Sequence, residues 1–246
     1  MLVISGERQG KDSMSISNGM FVKREGDTLV VSPSSLDFEF LGNLVNSVRC
    51  DETPFLLFDF PRDVSFDFSG EFFGILKLFA DSNLIVISFF DGSIGDGAIE
   101  LMLASDLVFA TKRSTVTISK FSDLEDTLLY YAMRYFGWVR FKELLFVGRL
   151  SVDKLSNYVN KIYENKDEFR NDLIRIKNEI LSLSALGVVA TKKIISLTYD
   201  MDFESSLLVE KDIFGYVFSK EDAKKGLKSF LDREKPKFER RLCDGV

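Results

Sequence analysis

The chain contains no histidine among its 246 residues. That absence removes Ser-His-Asp triads, Cys-His pairs and the common histidine-based metal sites. Proton transfer must then fall to Asp, Glu, Lys, Tyr or Cys. Cysteine is scarce as well: Cys50 and Cys243 are the only two. Two thiols build neither a disulfide framework nor a cysteine zinc site, and they fit a reducing, cytoplasmic setting. No metal is expected. Basic residues are outnumbered, 32 Lys and Arg against 38 Asp and Glu, for a net charge of −6. That balance argues against nucleic acid as the partner. No apolar run reaches the roughly 18 residues of a membrane span. The opening MLVISGERQGKDSMSISNG turns polar too early for a signal peptide. Neither a membrane nor a secretory route is expected.

What is present is core material. Hydrophobic residues make up 46% of the chain, and 24 phenylalanines dominate the aromatics. Met20 to Arg24 and Thr28 to Ser32 read as a hairpin around Glu25-Gly26-Asp27. Ser34 or Ser35 is placed to cap a helix running to about Arg49. FLLFDF (55–60) and LIVISFF (84–90) are near-continuous apolar runs of the kind that suit strands covered on both faces. RDVSFDFSG (62–70) reads as a loop, followed by a short helix from Gly70 to Phe79. LVFA (107–110) and TVTIS (115–119) read as strands. After Leu124 the pattern turns helical: about 124–136, 139–146, 166–182, 185–199, 202–216 and 220–232. Strands alternating with helices come first and helices come last. An α/β core over residues 1–150 and a helical region over 151–246 are expected.

The segment FFDGSIGDGAIELMLASDLVFAT (89–111) asks for a specific explanation. It sets Gly92, Gly95 and Gly97 beside Asp91 and Asp96 between an apolar strand and a helix, with Glu100 one turn later. The first N–H groups of a helix have no intrahelical partner, so a helix opening at Gly97 presents donors. A carbonyl oxygen gaining negative charge would be stabilised there. Glu100 sits near the same end, so a donor and a carboxylate lie side by side. Taken alone, Glu100 reads equally as a first-turn acid that favours the helix dipole. Gly92 and Gly95 read as the residues that let the chain turn sharply. A side chain at Gly97 is expected to crowd the oxygen's position at modest cost to stability.

These residues resemble the crotonase, or enoyl-CoA hydratase/isomerase, superfamily. The pattern there is N-G-x-x-x-G-G-G-x-E-L, then a helix ending in C-D and a strand; here stands DGSIGDGAIEL followed by ASDLVFA. SALGVVATKKII (184–195) and FESSLLVEKDIFGYVFSKEDAKKGLKSFLDREKPKF (203–238) resemble two further family segments in the right order. The resemblance covers about 55–238. It implies a spiral of ββα units with a helical C-terminal trimerisation region, and hence a homo-trimer or dimer of trimers. It implies an oxyanion hole from the N–H groups of Gly97 and, through FDFSGE (66–71), Gly70. It casts Glu100 as acid/base and Asp106 as structural. Lys228 and Lys235 fall where the family lies near the coenzyme phosphates. No cofactor is bound permanently; coenzyme A or an acyl-carrier protein carries the acyl thioester.

The chain also departs from the pattern. Lys120 stands where the family's second glutamate falls, and FSDLEDTLL replaces a glycine-rich loop. Asp123 and Glu125, or Asp126 beside them, are candidates for a second carboxylate; they read equally as first-turn acids of the next helix. Lys120 is either a solvated strand-end residue or a cation for a carboxylate substrate, as in a decarboxylase. The N-terminal P-x-x-x-N-A-L motif is missing, with SPSSLDFEF in its place. The resemblance therefore implies a lyase or isomerase acting by hydration, dehydration or double-bond shift. The departures lean it toward a specialised biosynthetic member acting on a carrier-protein-bound polyketide intermediate. The alternative is a non-catalytic subunit of the same fold.

Overall fold

A computed structural model describes residues 14–17, 19–48, 54–67, 69–119 and 126–238. The chain divides into two compact units, the first running to Phe169 apart from residues 80–83, the second from Arg170 onward together with those four. The first unit therefore continues past residue 150, where one strand straddles that position and a 3-10 turn and another strand follow it.

The first unit is built from two sheets. The larger has the order β1(Met14–Ser17), β2(Met20–Glu25), β3(Thr28–Pro33), β4(Phe55–Asp59), β6(Ile85–Phe90), β8(Leu107–Thr111) and β11(Lys161–Tyr163). From β3 onward neighbours are parallel, while β1, β2 and β3 pair antiparallel. The smaller sheet has the order β10(Arg149–Ser151), β9(Thr115–Thr117), β7(Ser93–Asp96) and β5(Val64–Phe66). Three successive stretches repeat one plan. A strand of the large sheet is followed by a strand of the small sheet and then a helix: β4, β5, α2(Phe72–Asp81); β6, β7, α3(Gly97–Ala104); β8, β9, α4(Asp126–Val147). The ββα repetition implied by the resemblance is present.

Side chains alternate across a strand, so a buried parallel sheet needs apolar residues on both faces. Leu56, Phe58, Val86, Phe90, Val108 and Ala110 join the main core, which also holds Leu41, Ile75, Phe79 and Leu101. The alternate positions face an aromatic cluster: Phe89 stacks on Phe169 at 4.0 Å, and Phe109 and Tyr163 pack on the same ring at 5.5 and 5.6 Å. Parallel connections return through α1(Phe38–Val48) and the helices of the repeat.

Several local details differ from the sequence expectation. The segment 62–70 holds β5, and β7, β10 and β11 are also strands, each too short to show a period. The cap of α1 is Asp37, whose Oδ1 accepts from Phe40 N at 2.9 Å. Ser34 instead donates its hydroxyl to the Gly19 carbonyl at 2.7 Å. The long α4 is broken at Gly137 (φ 71°, ψ 158°), which accounts for its reading as two helices.

The second unit is helical. It contains α6(Ala185–Thr198), α7(Phe203–Phe218) and α8(Glu221–Asp232), together with most of α5(Lys166–Leu181). Ser184 caps α6 through Gly187 N and donates to Asp222 Oδ2 at 2.6 Å, which ties the starts of α6 and α8 together. Asp202 caps α7 through Ser205 N. Neither α7 nor α8 buries a residue in the chain.

The Phe89–Phe169 stack closes the second face of the large sheet, so Phe169→Ala should destabilise strongly. Chemical denaturation should show a loss of about 3–5 kcal/mol, the range for removing a fully buried phenylalanine; a loss near zero would mean the stack does not seal that face.

Candidate active site

The site grows from the end of β6, whose six residues are all buried. At its end Asp91 receives Thr111 Oγ1 at 2.6 Å and the Arg113 guanidinium, in a two-point pair. Burial pushes the Asp91 carboxyl up, but Arg113 and Thr111 together outweigh it and hold it below the usual carboxylate value. Asp91 is therefore a clamp for the turn into the small sheet. Gly92, at φ +150°, continues that turn, and a Cβ there would meet Arg62 and Asp63 at 2.9 Å.

β7 then runs parallel between β5 and β9, with Ile94 opposite Val64 and Gly95 opposite Ser65. A Cβ on Gly95 would lie 2.7 Å from Thr117 Oγ1 and 2.9 Å from Ser65 Oγ. Gly95 is thus required by the close approach of its neighbours, with no left-handed backbone involved. This differs from its sequence reading as a turn residue.

At Gly97 the chain enters α3, and the first turn lies against the segment after β5. A Cβ on Gly97 would come 2.4 Å from the Asp67 carbonyl oxygen and 2.7 Å from the Phe66 ring. One turn on, Glu100 is 1% exposed and its Oε2 accepts the Ser69 N–H at 3.1 Å. Gly70 follows Ser69 directly, in a left-handed conformation (φ +68°). The first turn of α3, which carries Gly97 and Glu100, thus lies against Asp67 and Ser69, with Gly70 the next residue of the chain. Two backbone donors beside a carboxylate are the parts needed to polarise a carbonyl and move a proton at the adjacent carbon. Asp106 lies just beyond α3, where its Oδ2 accepts Val86 N at 2.8 Å and its own N–H donates to Val86 O at 2.9 Å. It fixes the return of the chain from α3 to the large sheet.

The profile of the Enoyl-CoA hydratase/isomerase family matches residues 64–241. The chain belongs to the enoyl-CoA hydratase/isomerase family. It is similar to the short-chain-enoyl-CoA hydratase of Clostridium acetobutylicum, at 27% identity over 182 residues, covering 68% of this chain and 67% of that one. A short-chain-enoyl-CoA hydratase of Clostridioides difficile is 27% identical over 161 residues, 61% of this chain and 99% of that one. In fold the chain is similar to the enoyl-CoA hydratase of Geobacillus kaustophilus, with a TM-score of 0.78 at 17% identity over 93% of this chain and 99% of that one. The crotonase-type α/β architecture with its helical C-terminal region is therefore the fold of this chain.

Of the other family positions, Lys120, Asp123 and Glu125 lie outside the described residues, and Asp126 opens α4. Lys228 on α8 and Lys235 just after it are exposed in the second unit. Among the described residues no group of three His, Cys, Asp or Glu is arranged to hold a metal. No single helix among them is long and apolar enough to cross a membrane. One contact escaped the sequence reading: Ser69 reaches Glu100 through its backbone N–H, which no residue type announces.

The contact at Gly97 corrects the expected effect of a substitution there. An added Cβ strikes the Asp67 carbonyl before it can reach a bound oxygen. Gly97→Ala should lower stability by about 1–3 kcal/mol, the cost of overpacking a tight contact. Gly215→Ala, on α7 with nothing within 4 Å, should be neutral or stabilising by about 0.4–1 kcal/mol. Urea midpoints compare the two; equal effects would contradict the close approach.

Proposed function

We propose that the chain is an acyl-thioester enzyme that stabilises a thioester enolate. The thioester oxygen sits between the N–H groups of Gly70 and Gly97, where α3 adds its positive dipole end. Glu100 serves as acid/base. In hydration a water adds across the Cα=Cβ bond: hydroxyl to Cβ, proton to Cα, with the charge held on the thioester oxygen between the two steps. Dehydration reverses these transfers, and a double-bond shift moves a proton from one carbon to the other. The observation that carries this reading is the contact of the Gly97–Glu100 turn with Asp67 and Ser69, beside Gly70.

The carrier is coenzyme A or an acyl-carrier protein, and no permanently bound cofactor is invoked. The missing N-terminal nucleotide-binding motif favours a carrier protein, and with it a specialised biosynthetic role on a polyketide intermediate in the cytoplasm. Lys228 and Lys235 are proposed to meet the carrier's phosphates. A second reading, a non-catalytic subunit, is favoured by the burial of Glu100 and its bond to Ser69 N–H. Exposed Phe203, Leu207, Leu208, Phe214 and Phe218 on α7 and Leu227, Phe230 and Leu231 on α8 support assembly into a trimer or a dimer of trimers. Sedimentation at micromolar concentration should give a trimer or hexamer, and a monomer would contradict the assembly.

Glu100→Gln tests the chemistry. The amide oxygen can still accept from Ser69 N–H, so the fold should persist. Exchange of the α-protons of butyryl thioesters with deuterated water, read by NMR on coenzyme A and on carrier protein, should fall roughly 10²–10⁴-fold. The faster of the two carriers in the parent identifies the natural one. If the parent binds neither thioester, the non-catalytic reading replaces this one.

A further inference from the structure

Asp96 precedes α3 with φ 47° and ψ −118°. That is close to the first central position of a type II′ turn, where a side chain is disfavoured and glycine dominates. An aspartate before a helix ordinarily turns its carboxylate onto the first N–H groups. Asp96 makes no such cap. Its carboxylate points the other way: Oδ1 accepts Ser119 N at 2.9 Å, and Oδ2 accepts Ser119 Oγ at 2.7 Å and Ser65 Oγ at 2.8 Å. Ser65 lies on β5 and Ser119 lies just past β9, so the bonds span both flanks of β7. Three anchors hold one residue in a conformation it would not choose, and strain of this kind persists only where surroundings over-determine it.

The consequence falls on the next residue. The ψ of Asp96 sets the plane of the 96–97 peptide, and with it the direction of the Gly97 N–H. Because the carboxylate faces away, the helix N–H groups are left uncapped by it. We propose that Asp96 is a positioning residue whose serine-anchored, glycine-like backbone aims the Gly97 N–H at the substrate oxygen. This rests on the oxyanion role proposed for Gly97. It makes the aspartate a substitute for a glycine by means of side-chain bonds, with no part in proton transfer.

Variants at Asp96 should fall in an unusual order. Asp96→Ala keeps the Cβ and loses the anchors, so the peptide should relax away from its orientation. Asp96→Gly loses the anchors too, yet glycine adopts the observed angles freely. With α-proton exchange of butyryl-CoA as the readout, Asp96→Ala should lose at least tenfold in kcat with KM within threefold. Asp96→Gly should remain within threefold of the parent. The double variant Ser65→Ala/Ser119→Ala removes both hydroxyl anchors and leaves only the Ser119 N–H on Oδ1, so kcat should fall in the direction of Asp96→Ala; adding Asp96→Gly to it should restore the rate. This second series holds the test together if Asp96→Ala does not fold. An Asp96→Gly variant as slow as Asp96→Ala would show that the carboxylate itself is needed and overturn the proposal. Parent-like rates in Asp96→Ala or in the double variant would overturn it as well. No exchange and no binding of butyryl-CoA by the parent would instead remove the oxyanion reading, and this proposal with it.

Discussion

The close approach of the first turn of α3 to residues 66–70 is the constraint on which the site depends. The Asp67 carbonyl and the Phe66 ring leave room at Gly97 only for hydrogen. The same approach lets the Ser69 N–H reach Glu100. A helix start and a buried carboxylate are thereby held against Asp67 and Ser69, with the left-handed Gly70 next in the chain. The Gly97–Asp67 approach is between backbone atoms and costs no side-chain entropy, which suits a site that must hold donors in place.

The repeated ββα plan makes that approach possible. Each repeat carries one strand to the large sheet and one to the small sheet before its helix begins. The small sheet sets β5 beside β7, so the segment after β5 and the helix after β7 start from adjacent, parallel strands. Parallel pairing aligns their exits in the same direction. The loop with Gly70 and the turn with Gly97 therefore leave the sheet together. The clamp at Asp91 and the serine bonds of Asp96 brace the two ends of β7, the strand that connects them.

Much of this was legible in the sequence. Long apolar runs at 55–60 and 84–90 could hardly be anything but buried strands, and α5 to α8 showed their periods. The glycine-and-acid segment marks Gly97 as a helix entry and Glu100 as a first-turn acid, and α3 begins there. What escaped was what pairing decides. β5 and β7 have three and four residues, too few to show a period; they are strands because each lies beside the other. Asp37 rather than a serine caps α1 because Ser34 is drawn to the Gly19 carbonyl. Gly95 looked like a turn and is a contact. Asp96, one of the two acids among those glycines, precedes α3 and turns its carboxylate to Ser65 and Ser119, a pairing that sheet neighbours decide.

The central claim is that Gly70 and Gly97 hold a thioester oxygen as it gains charge. The most direct measurement is the infrared band of the thioester carbonyl in bound butyryl-CoA labelled with carbon-13 at that carbon. A saturated acyl chain cannot be hydrated, so the band reports the ground-state environment alone. Two backbone donors and a helix N-terminus withdraw electron density from the oxygen and weaken the C=O bond. The account predicts a bound band displaced to lower wavenumber than the free thioester. A tightly bound thioester whose carbonyl band stays where it is in water-poor, donor-free solvent would contradict it.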